Sequence, residues 1–382
     1  MSDYEVLVLV LVAVYCWECV YWLRRGTVAF LNYWGDDWRL AHPTALLGNQ
    51  GGGFVFANPF PFLGTFLTSS QSPLSISPEG VYSHVAQCIN PDWRPTQAAI
   101  YFPFAGIKAI KTFGKEIRIE GKLLLKTGSA YQAEHLVKQL RRVAGLPLER
   151  RAGAIREMLR ESLNIKAIQK LLAESRSRVA ALRGLGNLLL VYLFGFIPFV
   201  VSRIGLRGSW IELLAGLLLL TTTTAIYFHY AHRRFYPEAD DERLTHFCMI
   251  LLSPATCIRA HDAFTRPMLE AFHPLAVARV LLKPEPFRAF ARRVLLEIRH
   301  PCLPICPTDA AGPQATERAA REALQEAVEK FLKQNEINPE ELTRPPAPTD
   351  ETCRSFCPRC GAQFTATEGV CADCGGLGLV RF

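Results

Sequence analysis

The chain has 382 residues, of which 49% are hydrophobic and 20% charged, with a net charge of +8. That length excludes a single small domain and implies two or three folded units. So much apolar residue beside an ordinary share of charge implies a few apolar segments set in otherwise water-soluble sequence. The 12 cysteines exclude a secreted disulfide scaffold, because two CxxC pairs sit near the C-terminus, two cysteines lie in an apolar N-terminal run and the rest are scattered; this is the usage of reduced thiols facing a cytosol.

The run Val6 to Leu23 is long and apolar enough for a first membrane helix, residues 6–23. Asp3 and Glu5 stand where a signal peptide carries basic residues, Tyr15 precedes Cys16 where a lipoprotein signal needs a small residue, and Arg24 and Arg25 follow. The run therefore reads as an uncleaved anchor. Tyr15, Trp17, Tyr21 and Trp22 suit an aromatic belt. Cys16 and Cys19 read as small packing residues, and Glu18 lies near enough to Arg24 to snorkel or pair.

Residues 26–145 read as a cytoplasmic β-rich domain. Thr27 to Trp34, Gly53 to Ala57 and Leu63 to Thr68 are aromatic or β-branched runs broken by Gly and Pro. Strands are clearest from Ala98 through Ile107 to Phe113, Glu116 to Glu120 and Leu123 to Lys126, with turns at Gly114-Lys115 and Gly121-Lys122. Ser129 then caps a helix whose face is Ala133, Leu136, Leu140 and Val143, ended by Gly145 and Pro147. Gly51-Gly52-Gly53 lacks the Gly-Lys-Ser/Thr of a phosphate loop and reads as a flexible loop. Ser75-Ile76-Ser77-Pro78-Glu79-Gly80-Val81 and Phe102-Pro103-Phe104-Ala105-Gly106-Ile107, in this order of strands closed by one helix, make the region resemble bacterial PH-like domains. That resemblance implies a barrel that binds lipid headgroups or protein segments. Lys108, Lys111, Lys115, Arg118 and Lys122 form the basic cluster available to anionic lipid, although alternation also makes them an ordinary solvated face.

Residues 148–183 read as a basic juxtamembrane helix. Ile165, Ile168, Leu172, Ser175, Val179 and Leu182 follow heptad spacing. A seam this short favours packing on its own domain, and it leaves homo-oligomerisation open. Residues 184–231 read as a tight transmembrane hairpin. Its first helix, Gly184 to Ser202, is uncharged and contains Pro198; its second, Ser209 to Ala231, carries Glu212 and Thr221 to Thr224, whose hydroxyls can bond back to carbonyls one turn earlier. Lys166, Lys170, Arg176, Arg178 and Arg183 precede this hairpin and Arg233, Arg234 and Arg243 follow it, against only Arg203 and Arg207 at its tip. The positive-inside rule then places the N-terminus outside and residues 24–183 and 232–382 in the cytoplasm. The charge reports topology, and nucleic acid is not needed to explain it.

Residues 244–335 read as a cytoplasmic helical region, interrupted by Pro254, Pro267, Pro274, Pro284 and Pro286, on or near the membrane surface. His246, His261, Asp262 and His273 are the cluster there from which a catalytic site would be drawn, but no diagnostic spacing joins them. Cys302 and Cys306 have no matching pair nearby except Cys353. Ala320, Leu324, Val328 and Phe331 form one stripe of an amphipathic helix. Prolines 339, 345, 346 and 348 make residues 336–352 an extended linker.

Residues 353–382 carry Cys357-Pro-Arg-Cys360-Gly361 and Cys371-Ala-Asp-Cys374-Gly375. Each CxxC offers two sulfurs from one tight turn, four soft ligands in all for a tetrahedral Zn²⁺. The segment resembles a zinc ribbon of the rubredoxin-like type, which implies structural zinc on Cys357, Cys360, Cys371 and Cys374. Four thiolates leave no open position for catalysis, and the metal folds residues too few to bury a core. The expected protein is thus an α+β multi-pass membrane protein with three transmembrane helices. The expected function is a non-enzymatic scaffold whose partners are the lipid bilayer and cytoplasmic proteins met through the ribbon and the β domain. A membrane-associated enzyme or transport component using Glu18, Glu212 or the histidine group is the alternative.

Overall fold

The computed structural model describes residues 74–83, 100–107, 109–127, 129–300, 311–374 and 376–382, with a few helical positions between Val6 and Val14 and the paired dipeptides Phe30–Leu31 and Trp38–Arg39. Most of the first expected span, with Cys16, Glu18 and Cys19, lies outside the described residues. So do the expected strands at 53–57 and 63–68, the glycine run, Lys108, Cys302 and Cys306, and the side chain of Asp262.

Six short strands form two antiparallel three-stranded sheets. β1 (Leu74–Ile76), β2 (Gly80–Ser83) and β3 (Ile100–Pro103) make the first, and β4 (Ile110–Phe113), β5 (Glu116–Ile119) and β6 (Lys122–Lys126) the second. The β5–β6 turn holds both central residues at positive φ, Glu120 at 50° and Gly121 at 79°, the twist that a two-residue hairpin requires. Glycine adopts it freely, and Glu120 is tied down as its carboxylate accepts from the Ala109 N–H at 2.8 Å. Alternation turns Ile117 and Ile119 fully inward and leaves Arg118 between them half-exposed.

Helix α1 (Ala130–Ala144) closes this unit. Ser129 caps it by accepting from the Gln132 N–H at 3.2 Å, and Arg141 and Arg142 sit in its last turn, where the helix dipole favours cations. Ala133, Val137, Leu140 and Val143 pack on Ile110, Ile117, Ile119 and Leu124, joined by Ala154 and Ile155 of α2 (Leu148–Ser162). Leu136, expected on that face, is only partly buried, and Val137 takes the central place.

The expected 148–183 helix is two helices. α2 ends at Ser162, Asn164 caps the next helix by accepting from the Ala167 N–H at 3.1 Å, and α3 (Ile165–Val191) runs on into the apolar segment. No helix breaker lies between them. A π turn (Tyr192–Phe196) leads into α4 (Ile197–Ile204), whose second residue is Pro198, whose missing N–H the wider turn accommodates. Gly205 alone, at φ 84°, then reverses the chain into α5 (Leu206–Phe235). The Thr221, Thr223 and Thr224 hydroxyls donate to carbonyls three or four residues earlier, keeping their polar groups inside the helix. Among the described residues, Ile165–Ile204 and Gly208–Phe235 are the two helices long and apolar enough to cross a membrane, and only 22% and 28% of their most apolar stretches are buried. A core helix of a soluble domain would be buried over most of that length. Two close contacts hold the pair: Tyr192 Oη donates to the Leu213 carbonyl at 2.7 Å, and the same hydroxyl lies over Gly216, where a Cβ would stand 2.4 Å from Tyr192 Oη.

Beyond α5 come α6 (Asp240–Leu252), α7 (Pro254–Ile258), α8 (Ala260–Glu270), α9 (Pro274–Leu281), α10 (Pro284–Arg299), α11 (Ala311–Gln334) and α12 (Pro339–Leu342). The proline-rich composition appears as short helices, with prolines opening α7, α9, α10 and α12 at the position where a missing N–H costs nothing. These helices cover the seam of α3: Ile168, Leu172, Ser175, Val179 and Leu182 are buried, and Gly186 and Leu189 extend the row. Tyr236 is buried among Tyr131, Phe235 and Phe264, with its hydroxyl donating to the Phe264 carbonyl at 2.8 Å.

Side chains distant in sequence join the sheet unit to the helices. The buried Glu242 carboxylate accepts from the Ala130 N–H at 2.9 Å and meets Lys115 Nζ at 3.2 Å, placing an anion on the N-terminus of α1. Ser77 and Thr316 hydroxyls share a hydrogen bond at 3.0 Å. The start of the expected linker is ordered: Ile337 is buried, and Arg299 binds Glu329, Glu340 and Thr343 at 2.8, 2.7 and 2.8 Å.

Candidate metal centre

The C-terminal segment buries few apolar side chains beyond its cysteines: Phe356 is buried, while Val370, Val380 and Phe382 are exposed. Its strands β7 (Ser355–Phe356), β8 (Gln363–Phe364), β9 (Val370–Cys371), β10 (Leu377–Gly378) and β11 (Val380–Arg381) are two residues each, in one three-stranded and one two-stranded sheet. Its buried hydrophobic cluster is Cys357, Cys371 and Cys374, flanked by Phe364, Leu377 and Leu379.

Two turns aim the sulfurs. In the first, the Gly361 N–H donates to the Cys357 carbonyl at 2.9 Å with Gly361 at φ 76°; in the second, the Gly376 N–H donates to the Cys371 carbonyl at 3.0 Å with Gly376 at φ 86°. The second turn is one residue longer, and its left-handed glycine is Gly376. The sequence pointed to Gly375, which lies outside the described residues. The sulfurs of Cys357, Cys360, Cys371 and Cys374 all lie within 4.8 Å of one another, and Cys360 and Cys371 are 3.8 Å apart. A tetrahedron with metal–sulfur bonds of about 2.3 Å has edges of about 3.8 Å, so the cluster fits one divalent cation. The donor set argues likewise. Burial, then the neighbouring Cys360 and Cys357, push the Cys374 thiol up. The Cys357 thiol is opposed by burial but comes down overall because the Cys360 and Arg359 N–H groups face its sulfur. A cation resolves the crowding by taking all four as thiolates.

Cys353, half-buried, touches the Thr349 hydroxyl at 3.5 Å and is not a member of the group. The linker is fastened to the ribbon through Gln363, whose amide oxygen accepts from the Thr349 N–H at 2.8 Å and whose amide nitrogen donates to the Ala347 carbonyl at 2.8 Å. The expected basic cluster is divided: Lys115 faces Glu242, and Arg118 binds Glu116 at 2.7 Å, while Lys111 and Lys122 are exposed.

The histidines take separate places. His246 lies against Phe228, and its ring centre is 6.3 Å from that of His232. His261 is fully buried, and burial brings its pKa down to about 3. His273 caps α9, its Nδ1 accepting from the Leu275 N–H at 3.2 Å, and burial lowers it to about 4. Among the described residues no His, Cys, Asp or Glu group other than the four cysteines is placed to hold a metal. Glu212 is exposed near the start of α5.

One feature escaped the sequence. A cavity of about 150 Å³ lies between β1, α1, α2, the α8–α9 turn and α11, where Gln132, His135, Gln139, Ser162 and His273 face Leu74, Ile76, Phe272 and Leu324. Its walls come from segments too far apart for any local pattern to announce. Comparison of the chain with protein-family models, with curated proteins and with solved structures found no match in any of the three.

Proposed function

We propose that the chain is a membrane-anchored, non-enzymatic scaffold holding a zinc ribbon and a β unit at the cytoplasmic face for protein partners. The observation that carries this reading is the donor set. The metal-holding group among the described residues offers four thiolates, which leave a tetrahedral Zn²⁺ no position for substrate or water, so the ion is structural. Two mostly unburied apolar helices support a membrane hairpin. Arg183, Arg233 and Arg234 at its base, against Arg203 and Arg207 at its tip, support a cytoplasmic body. The two meanders closed by a capped helix support a PH-like unit, whose partner by that likeness is a protein segment or a lipid headgroup. Val370, Val380 and Phe382 are exposed on the ribbon at 63%, 45% and 43% and offer a partner apolar side chains.

The test is covalent crosslinking in membranes, comparing the intact chain with Cys371→Ser. Partners held by the intact chain and lost from the variant, with metal content falling from one zinc per chain to none, are the expected result. Unchanged partners, or no zinc in the intact chain, overturn the reading. The cavity containing His135 and His273 favours a second reading, a membrane-associated enzyme. A His273→Gln variant that inserts and folds normally but abolishes the cellular phenotype, with partners intact, decides for it.

A further inference from the structure

The two apolar helices and the short helices beside them share a register that fixes depth. Tyr192 of the π turn meets Leu213 and Gly216, so α3–α4 and α5 run antiparallel with these residues at one level. Gly186 lies on α3 just inside the end of the uncharged stretch that follows Arg183. A Cβ there would stand 2.9 Å from the Ile258 carbonyl, so α7 touches the span at that level. The Cys257 thiol of α7 meets the Thr224 hydroxyl of α5, again toward the base of the apolar stretch. α6 approaches this level from the cytoplasmic side: Glu242 is bonded to α1 and Lys115, then His246 and Phe247 lie beside Phe228 and His229. α8 returns from it, with Phe264 packed on Phe228, Phe235 and Tyr236. Helices α6 to α8 are therefore a hairpin alongside the spans, and its tip is the segment Met249 to Pro254.

That tip is largely apolar, and two of its side chains are uncovered. Leu252 is 79% exposed and Met249 44%, while Ile250 beside them is fully buried. We infer that the Met249–Pro254 tip is seated in the inner leaflet, against acyl chains just below the headgroups, so that the helical body is held on the bilayer at a second point. The inference rests on the membrane reading of the two apolar helices. What favours lipid over a protein as the occupant is position: the tip lies level with the cytoplasmic ends of both uncharged stretches and so continues their exposed apolar surface. An apolar side chain at that depth is removed from water without any partner protein.

The test uses the full chain in phosphatidylcholine vesicles containing a lipid with a photoreactive diazirine on its acyl chain, followed by mapping of labelled peptides. Label on the peptide holding residues 249–254 and on the spans between Leu188 and Leu219 is the expected result, with tip label lost in Leu252→Asp and span label retained. Span label without tip label overturns the inference and leaves the spans standing. Absence of label from the spans overturns the membrane reading itself.

Discussion

The ribbon and the six-stranded unit are both small, sheet-based and adjacent to helices, yet they are held together by different forces. In the six-stranded unit, Ile76, Val81, Ile110, Ile117, Ile119 and Leu124 pack on Val137, Leu140 and Val143 of a capped helix. Each such side chain contributes roughly 1.5–3 kcal/mol on burial. The ribbon buries three cysteines in the place of that layer, and its strands are too short to be stable alone. The contrast teaches that the six-stranded unit is held by solvent exclusion, whereas the C-terminal segment lacks such a layer and has in its place four cysteines grouped to hold a metal ion.

Chelation breaks the comparison most sharply. Apparent folding contributions of structural zinc reach about 10–16 kcal/mol in finger-sized domains. Removing the ion, or making Cys371→Ser, is therefore expected to unfold residues 353–382 and leave the rest intact. Hydrogen exchange checks this: protection lost at Cys357, Gly361 and Gly376 amides but kept in α1 and β5. Next in size is Leu140→Ala, which opens a cavity at a fully buried site and should cost about 2–5 kcal/mol in the six-stranded unit. In urea titration it shifts the midpoint of that unit while zinc content stays at one per chain. Glu242→Ala removes the carboxylate that joins α1 and Lys115 to α6. An expected loss of about 1–3 kcal/mol should appear as faster exchange at Ala130 and partial undocking of the six-stranded unit, with Glu242→Gln recovering part of it.

The smallest effect is a pH dependence. His261 and His273 have pKa values lowered from 6.5 to about 3 and about 4 by burial, so the folded chain binds fewer protons than the unfolded chain in this window. The associated stability is fully present above pH 6.5 and is lost as pH falls toward 4. Thermal unfolding in detergent should be flat above the window and decline within it, less steeply in His273→Gln.

The strong local signals in the sequence were those with a short physical range. A Ser before a helix, a Gly in a hairpin and two CxxC turns act over a few residues, and Ser129, Gly121 and the four cysteines occupy the places that these rules assign them. The threonine run back-bonds within α5 for the same reason. Where the reading divided helices at composition changes, the structure ran on: α3 continues from charged into apolar sequence because a backbone hydrogen bond ignores which side chains flank it. The linker begins later than its prolines suggest, since Arg299 reaches Glu340 and Thr343 from another helix.

By itself, then, the sequence determined the grouped cysteines, the apolar hairpin and the Ser129 cap, each decided within a turn or two of chain. Only the tertiary structure decided that Glu242 sits on the N-terminus of α1, that the α3 seam is covered by α7, α8 and α9, that the histidines stand apart, and that residues 249–254 form an exposed tip level with the base of the apolar helices. These are contacts between residues tens to hundreds apart, fixed by the packing of whole helices, and no local spacing encodes them.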